Sequence, residues 1–199
     1  RIGVLDGAAA VDDLVGRGLA LHRQGRLAEA RPLYDAALAR DPGHAEALHL
    51  LGLVFYQQGD FEEALRRIDD AIGRRPEVAK YHSNRGNALK ETGRLEEAIA
   101  AYRHAIALDP AFADAPFNLG VALREAGDAP GAAQAFQAAL KINPGNVDAK
   151  QNLATVLYSL GWHDHAIALF REVLDVRPES SEVHFNLSQA LERAGRHGE

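Results

Sequence analysis

Apolar and polar positions along the chain follow a pattern that repeats every 34 residues, in step with prolines at 42, 76, 110, 144 and 178. Counted from residue 11, the first apolar stripe of each block occupies positions four, seven, eight and eleven, which is the i, i+3, i+4, i+7 spacing of one helix face. A second stripe at positions twenty, twenty-four and twenty-seven ends shortly before the proline. The pattern therefore predicts two amphipathic helices per block, separated by a short turn.

The size of the residues in each stripe indicates how the two helices pack. Position eight is small throughout: Gly18, Gly52, Gly86, Gly120, Ala154 and Ser188. Position twenty is always alanine: Ala30, Ala64, Ala98, Ala132 and Ala166. Position twenty-four is large and mostly aromatic: Tyr34, Ile68, Tyr102, Phe136 and Phe170. Small residues on both helices allow a close approach, and the large side chain fills the remaining space between them.

The ends of the predicted helices carry their own signals. Position fifteen is glycine in all blocks: Gly25, Gly59, Gly93, Gly127, Gly161 and Gly195. Glycine is the least strained residue in the left-handed conformation that ends many helices, so the first helix should stop there. The proline at position thirty-two cannot continue the second helix. One such helix pair cannot bury its apolar face alone, and neighbouring blocks must therefore stack.

These columns closely resemble the tetratricopeptide repeat (TPR), whose period is 34 residues. The resemblance covers residues 11–195, and residues 84–110 are its clearest copy. It implies an all-α fold, namely an α-solenoid in which helix-turn-helix repeats stack into a right-handed superhelix. The predicted repeats are 11–44, 45–78, 79–112, 113–146 and 147–180, with an N-terminal extension or degenerate repeat end at 1–10 and a partial sixth repeat or capping helix at 181–199. This division predicts eleven helices.

Composition narrows the classes of partner. The net charge of −6 argues against a general binder of nucleic acid or anionic membranes, since both favour basic stripes. The chain has no cysteine, which excludes disulfides, zinc–thiolate sites and thiol catalysis. It has no apolar run of about 18 residues that would predict a membrane-spanning helix. We expect a cytoplasmic protein, and the richness in Ala, Arg and Gly suggests a bacterial gene. The repeat pattern stops partway through a block, so we expect a fragment of a longer protein.

Candidate binding residues lie on the first helices, which in such an array line a concave groove. Positions two, five, six, nine, twelve and thirteen lie off the apolar face, and position six holds Asn84, Asn118, Asn152 and Asn186. An amide both donates and accepts hydrogen bonds, so this asparagine ladder could hold the backbone of an extended peptide. It resembles the ladder in the TPR domain of O-linked N-acetylglucosamine transferases; a role in packing or solubility is the alternative. The other groove candidates are Asn87, Phe117, Val121, Tyr158, Lys80 and Arg124.

Three functions agree with this pattern. The leading hypothesis is a scaffold that binds a peptide or helix of a partner protein in the groove. The second is the substrate-recruiting region of a larger enzyme, such as a glycosyltransferase, and the third is self-association through the last helix, where Phe185 and Leu191 would be exposed. No catalytic motif is present, so we expect neither enzyme activity nor a cofactor in this chain. The Trp162–His165 segment, which contains two histidines and Asp164, is interpreted as a surface turn rather than a metal site.

Overall fold

The computed structural model describes the backbone of residues 2–196 and the side chains of residues 7–196, which form eleven α-helices and no strand. Residue 1 and residues 197–199 of the predicted end segments lie outside the described residues. The helices are α1 (Ile2–Arg23), α2 (Leu27–Arg40), α3 (Ala45–Gln57), α4 (Phe61–Arg74), α5 (Ala79–Glu91), α6 (Leu95–Leu108), α7 (Asp114–Glu125), α8 (Ala129–Ile142), α9 (Val147–Ser159), α10 (His163–Val176) and α11 (Ser181–Arg193). The prediction of an all-α fold with eleven helices is confirmed.

The first helices α1, α3, α5, α7, α9 and α11 end where the glycine column predicts. Each glycine at position fifteen lies two residues beyond the end of its helix and has a φ angle between 72° and 82°. No other residue type has a positive φ in the described part of the chain. Because L-residues with a β-carbon are strained in this conformation, glycine is the residue that the turn requires. Asp60 and Asp128 then begin α4 and α8, since each side chain accepts a hydrogen bond from a backbone N–H of the following helix.

The chain divides into two compact units, residues 1–101 and 102–199. In unit 1, α1 packs on α2, α3 packs on both α2 and α4, and α5 packs on α4. Its core contains the alanines and the large residues of the second helices, including Ala30, Tyr34, Ala64 and Ile68, all fully buried. Two buried clusters join neighbouring helix pairs, so the core runs along the unit as a stack rather than around one centre.

Unit 2 repeats this arrangement. Helix α7 packs on α8, α9 packs on α8 and α10, and α11 packs on α10. Ala132, Phe136, Ala166 and Phe170 occupy the same positions as the core residues of unit 1 and are equally buried. The first helices also contact one another in order, α7 with α9 and α9 with α11. This row of first helices places their position-six residues side by side.

Positions three and ten of the first helices are buried as well, although the sequence pattern did not include them in the apolar face. Position three holds Ala47, Tyr81, Ala115, Ala149 and Val183. Position ten holds Val54, Ala88, Ala122, Val156 and Ala190. The reason is that α3, α5, α9 and α11 each contact the second helix of the preceding pair. They therefore bury a wider arc than contact with one partner helix requires.

Candidate functional site

Positions five and six of the first helices in unit 1 are less open than the sequence pattern predicts. The sequence pattern places position five off the buried face, but Val15, His49 and Ser83 are buried there. Gly16 is exposed, Leu50 is buried and Asn84 is half-buried at position six. Unit 1 therefore presents Asn84 alone from the predicted ladder, beside residues that belong to the core.

Asn84 is engaged by the protein itself. Its Nδ2 lies 2.8 Å from Nε2 of His49 on the preceding first helix, and its Oδ1 accepts a hydrogen bond from Asn87 Nδ2 at 3.4 Å. His49 is 2% exposed, and its ring lies against that of Tyr81 with 4.4 Å between the ring centroids. Its Nδ1 is buried and has no hydrogen-bond partner among the described residues. Asn84 and Asn87 thus help to satisfy a buried imidazole rather than pointing two open amides toward a ligand.

Charged and phenolic groups surround this pair. Lys80 Nζ donates to Glu46 Oε1 at 2.9 Å, and the Tyr81 hydroxyl donates to Glu46 Oε2 at the same distance. Burial opposes ionisation of Glu46, but these two hydrogen bonds hold the pKa of its carboxyl below the ordinary value. Burial lowers the pKa of His49 to about 4, so the imidazole is neutral near pH 7. Lys80 therefore already has an acidic partner in Glu46. The sequence pattern did not reveal this ion pair.

In unit 2 the position-six asparagines lie on the contacting helices α7, α9 and α11, and all three are half-buried. No hydrogen bond of Asn118 or Asn186 occurs among the described residues. Asn152 differs, because its Oδ1 accepts from Arg124 Nη1 at 2.5 Å and its Nδ2 donates to the Asp148 carbonyl at 2.8 Å. Unit 2 therefore presents two open amides with an occupied one between them.

Aromatic and apolar side chains lie beside these amides. Phe117 and Val121 of α7 are half-buried, and the Phe117 ring packs 5.9 Å from the Phe136 ring. Tyr158 of α9 is also half-buried and lies 5.5 Å from the His163 ring. Phe185 of α11 is 63% exposed, whereas Leu191 is buried. The expectation that Phe185 and Leu191 together form an exposed face is therefore wrong, since only Phe185 faces solvent.

These side chains define the first-helix face of unit 2, a term used below for position five, six, nine and twelve residues of α7, α9 and α11. Its members are Phe117, Asn118, Val121, Arg124, Gln151, Asn152, Thr155, Tyr158, Phe185, Asn186, Gln189 and Glu192. Rigid helices hold every one of them, so their spacing is set before any ligand arrives. The face combines amides that can pair with a peptide backbone and aromatic rings that can pack on side chains.

The histidine-containing turn behaves as a surface feature. Trp162 is 57% exposed and lies 5.7 Å from the His165 ring, while Asp164 pairs with Arg196 at 3.4 Å. Within residues 7–196, no group of three or more potential metal-ligating side chains comes together. In the same part of the chain, no helix combines the length and the apolar character needed to cross a bilayer.

Comparison with known families agrees with the helix pattern. A model described as tetratricopeptide repeat matches residues 6–45, 15–79, 49–111, 84–147 and 152–199. The chain belongs to the tetratricopeptide repeat family. TPR arrays present extended surfaces for other proteins, and the architecture of this chain is that of a protein-interaction scaffold. A comparison with curated proteins gives no match.

Solved structures share the fold. MamA is 25% identical, with a TM-score of 0.72, and the match covers 83% of this chain and 96% of MamA. PilF of Pseudomonas aeruginosa is 21% identical, with a TM-score of 0.86 and coverage of 96% of this chain and 89% of PilF. YrrB, a TPR protein with an unusual peptide-binding site, is 22% identical, with a TM-score of 0.69 and 90% coverage of both chains. The likeness to PilF and YrrB concerns the fold.

Proposed function

We propose that the first-helix face of unit 2 binds an extended segment of a partner protein. The observation that carries this proposal is the pair of half-buried amides, Asn118 and Asn186, which have no hydrogen-bond partner among the described residues. Each amide offers two donors and an acceptor, so it can pair with the N–H and C=O groups of an extended chain. Such pairing supplies affinity without selecting particular side chains, which suits a scaffold with several partners.

The spacing of the first helices agrees with an extended ligand. Packed helices lie about 8–10 Å apart, and an extended chain advances about 3.3 Å per residue. A segment of about six residues would therefore run from α7 across α9 to α11. Such a segment meets one asparagine every three residues.

Apolar contacts would add specificity at both ends of this path. Phe117 and Val121 lie beside Asn118, and Phe185 precedes Asn186 in α11. An aromatic ring that is 63% exposed beside an open amide can cover an apolar side chain of the ligand. We expect ligands with apolar residues flanking a central stretch of backbone contacts.

The test is a selection of random peptides of about twelve residues, twice the length that spans the face, on the intact chain. The affinity of the best peptide is then measured by fluorescence polarisation for wild type and for Asn118→Ala/Asn186→Ala. Loss of two neutral hydrogen bonds should weaken binding about tenfold or more. Gln134→Ala/Gln137→Ala is the matched control, because it removes two exposed amides from α8, outside the face.

The control should bind like the wild type. Equal binding by the Asn118→Ala/Asn186→Ala variant would mean that the peptide binds elsewhere. Selection of no peptide at all would contradict the proposed function directly.

A further inference from the structure

Asn152, the middle asparagine of the first-helix face of unit 2, has its oxygen and one of its two N–H donors engaged by the protein itself. Its oxygen accepts from Arg124 Nη1 at 2.5 Å, and its nitrogen donates to the Asp148 carbonyl at 2.8 Å. The Arg124 bond joins α7 to α9, so it crosses the path between Asn118 and Asn186. A ligand backbone N–H that replaces Arg124 as the hydrogen-bond donor to Asn152 Oδ1 must therefore displace Arg124.

Arg124 is bonded to the neutral amide of Asn152, which binds a guanidinium more weakly than a carboxylate does. Its guanidinium is bonded to a neutral amide, and no carboxylate lies within ion-pair distance of it in the described part of the chain. The neighbouring cations are better matched: Lys150 pairs with Glu172 at 2.5 Å, and Arg177 pairs with Asp148 at 2.8 Å. Arginine binds carboxylates through two parallel charge-assisted hydrogen bonds, which are roughly twice as strong as neutral ones. Arg124 is consequently an exposed cation on the proposed binding path, and its guanidinium can bind a carboxylate supplied by the ligand.

We infer that Arg124 determines specificity for a partner segment with an acidic side chain at its centre, and that Asn152 is released when this acid binds. The inference rests on the proposed function. A ligand carboxylate forms an ion pair with the Arg124 guanidinium, and the Arg124–Asn152 hydrogen bond breaks. Asn152 Oδ1 then becomes free to accept a hydrogen bond from a backbone N–H of the ligand. A neutral segment leaves Arg124 on Asn152 and loses the middle contact.

The position of the acid follows from the geometry. The guanidinium lies at Asn152, so the acidic residue should be the one whose backbone meets Asn152 or its immediate neighbour. Asn118 and Asn186 lie one first helix away on either side, about three extended residues each. Selected peptides should thus share one Asp or Glu in the middle of the bound segment.

The experiment compares peptide selections on three intact chains: wild type, Arg124→Gln and Arg193→Gln. Arg193 is exposed on α11 and lies in the same unit, so its substitution removes the same charge without touching Asn152. Wild type and Arg193→Gln should both enrich an acid at one fixed position. Arg124→Gln should still select peptides but without that enrichment. Circular dichroism checks that each variant is folded.

Peptide affinities then measure the energetic coupling between the ligand acid and Arg124. In the best wild-type peptide, replacing the acid by its amide (Asp by Asn or Glu by Gln) should weaken binding to wild type about tenfold and should change binding to Arg124→Gln by less than about twofold. Asn152→Asp supplies Arg124 with a carboxylate from the protein, and it should reduce the preference for acidic peptides. Asn152→Ala frees Arg124 and should keep the preference.

Three outcomes overturn the inference. If wild type selects peptides without a fixed acid, or if Arg124→Gln keeps the acidic preference, Arg124 does not determine specificity, although the proposed function stands. If no chain selects any peptide, the proposed function fails, and the inference fails with it.

Discussion

Gly18 and Gly16 both lie on α1, and comparing their alanine variants measures how much stability depends on a small residue at position eight. A β-carbon added to Gly18 would lie 2.6 Å from Cε1 of Tyr34 and 3.0 Å from its Cδ1, whereas one added to Gly16 meets no atom of the described residues within 4 Å. Carbon atoms in proteins pack at about 3.5–4.0 Å. Tyr34 is fully buried, and its hydroxyl lies 3.3 Å from Nδ1 of His22, so the ring has little room to withdraw.

The two substitutions to alanine should therefore differ in sign. Gly16→Ala should stabilise the protein by about 0.5–1 kcal/mol, because alanine is the better helix former. Gly18→Ala gains the same propensity term but overpacks the interface with α2, which costs about 1–3 kcal/mol. Subtracting one variant from the other removes the propensity term, so a gap of about 1–3 kcal/mol measures packing alone.

Urea unfolding followed by circular dichroism measures this gap. With an m-value of about 2 kcal/mol/M, the midpoints of the two variants should differ by about 0.5–1.5 M. Adding Tyr34→Leu to both proteins provides the control, since removing the ring should bring the effect of Gly18→Ala close to that of Gly16→Ala. Equal stabilisation by Gly16→Ala and Gly18→Ala in the wild-type background would refute the close-packing explanation of position eight.

Two further predictions concern the polar groups of the first helices. Burial lowers the pKa of His49 to about 4 from the ordinary 6.5, so the folded state binds this proton less readily than the unfolded state, and stability should be full above pH 6.5 and fall on acidification through pH 4. Between pH 7.5 and 5 the expected loss is about 2 kcal/mol by urea unfolding. His49→Gln should flatten the profile, and an unchanged slope would show that another group titrates. His22, whose burial also lowers its pKa, acts in the same direction and should keep a smaller slope in that variant. Asn84→Ala should cost about 1–3 kcal/mol because it removes the partner of a buried imidazole, whereas Asn118→Ala should cost less than about 0.5 kcal/mol; a large loss of melting temperature for Asn118→Ala would mean that this asparagine is structural.

Much of the fold follows from sequence periodicity because one physical requirement fixes each column. Ala30, Ala64 and Tyr34 are fully buried as their positions predict, and every glycine at position fifteen has a positive φ. The predicted buried face of the first helices was too narrow, because it left out positions three and ten. A periodic stripe reveals one packing face, but Tyr81 and Val54 are buried because α3 and α5 also contact the preceding second helix. Small alanines at these positions give no signal in a hydrophobic pattern that weights large residues.

The candidate site was less predictable because side-chain contacts join residues far apart in sequence. Asn84 contacts His49, which lies 35 residues earlier, and Asn152 contacts Arg124, which lies 28 residues earlier. Both spacings link neighbouring first helices, yet the repeat pattern alone does not say which pairs will meet. Lys80 likewise bonds to Glu46 at a spacing of 34.

The asparagine at position six therefore has different roles in different repeats, and its contact with the preceding first helix determines which role it has. Where that residue is a buried imidazole, as with His49, the amide completes a core contact and its loss should reduce stability. Where it is an exposed guanidinium, as with Arg124, solvent reaches the contact, and a ligand carboxylate can exchange for the amide at small cost. Asn118 and Asn186 have neither contact among the described residues, so their amides are open from the start. Stability should thus respond to Asn84 and basal affinity to Asn118 and Asn186, whereas Asn152 should add affinity only for ligands whose acid binds Arg124, although all four asparagines occupy one position of the repeat.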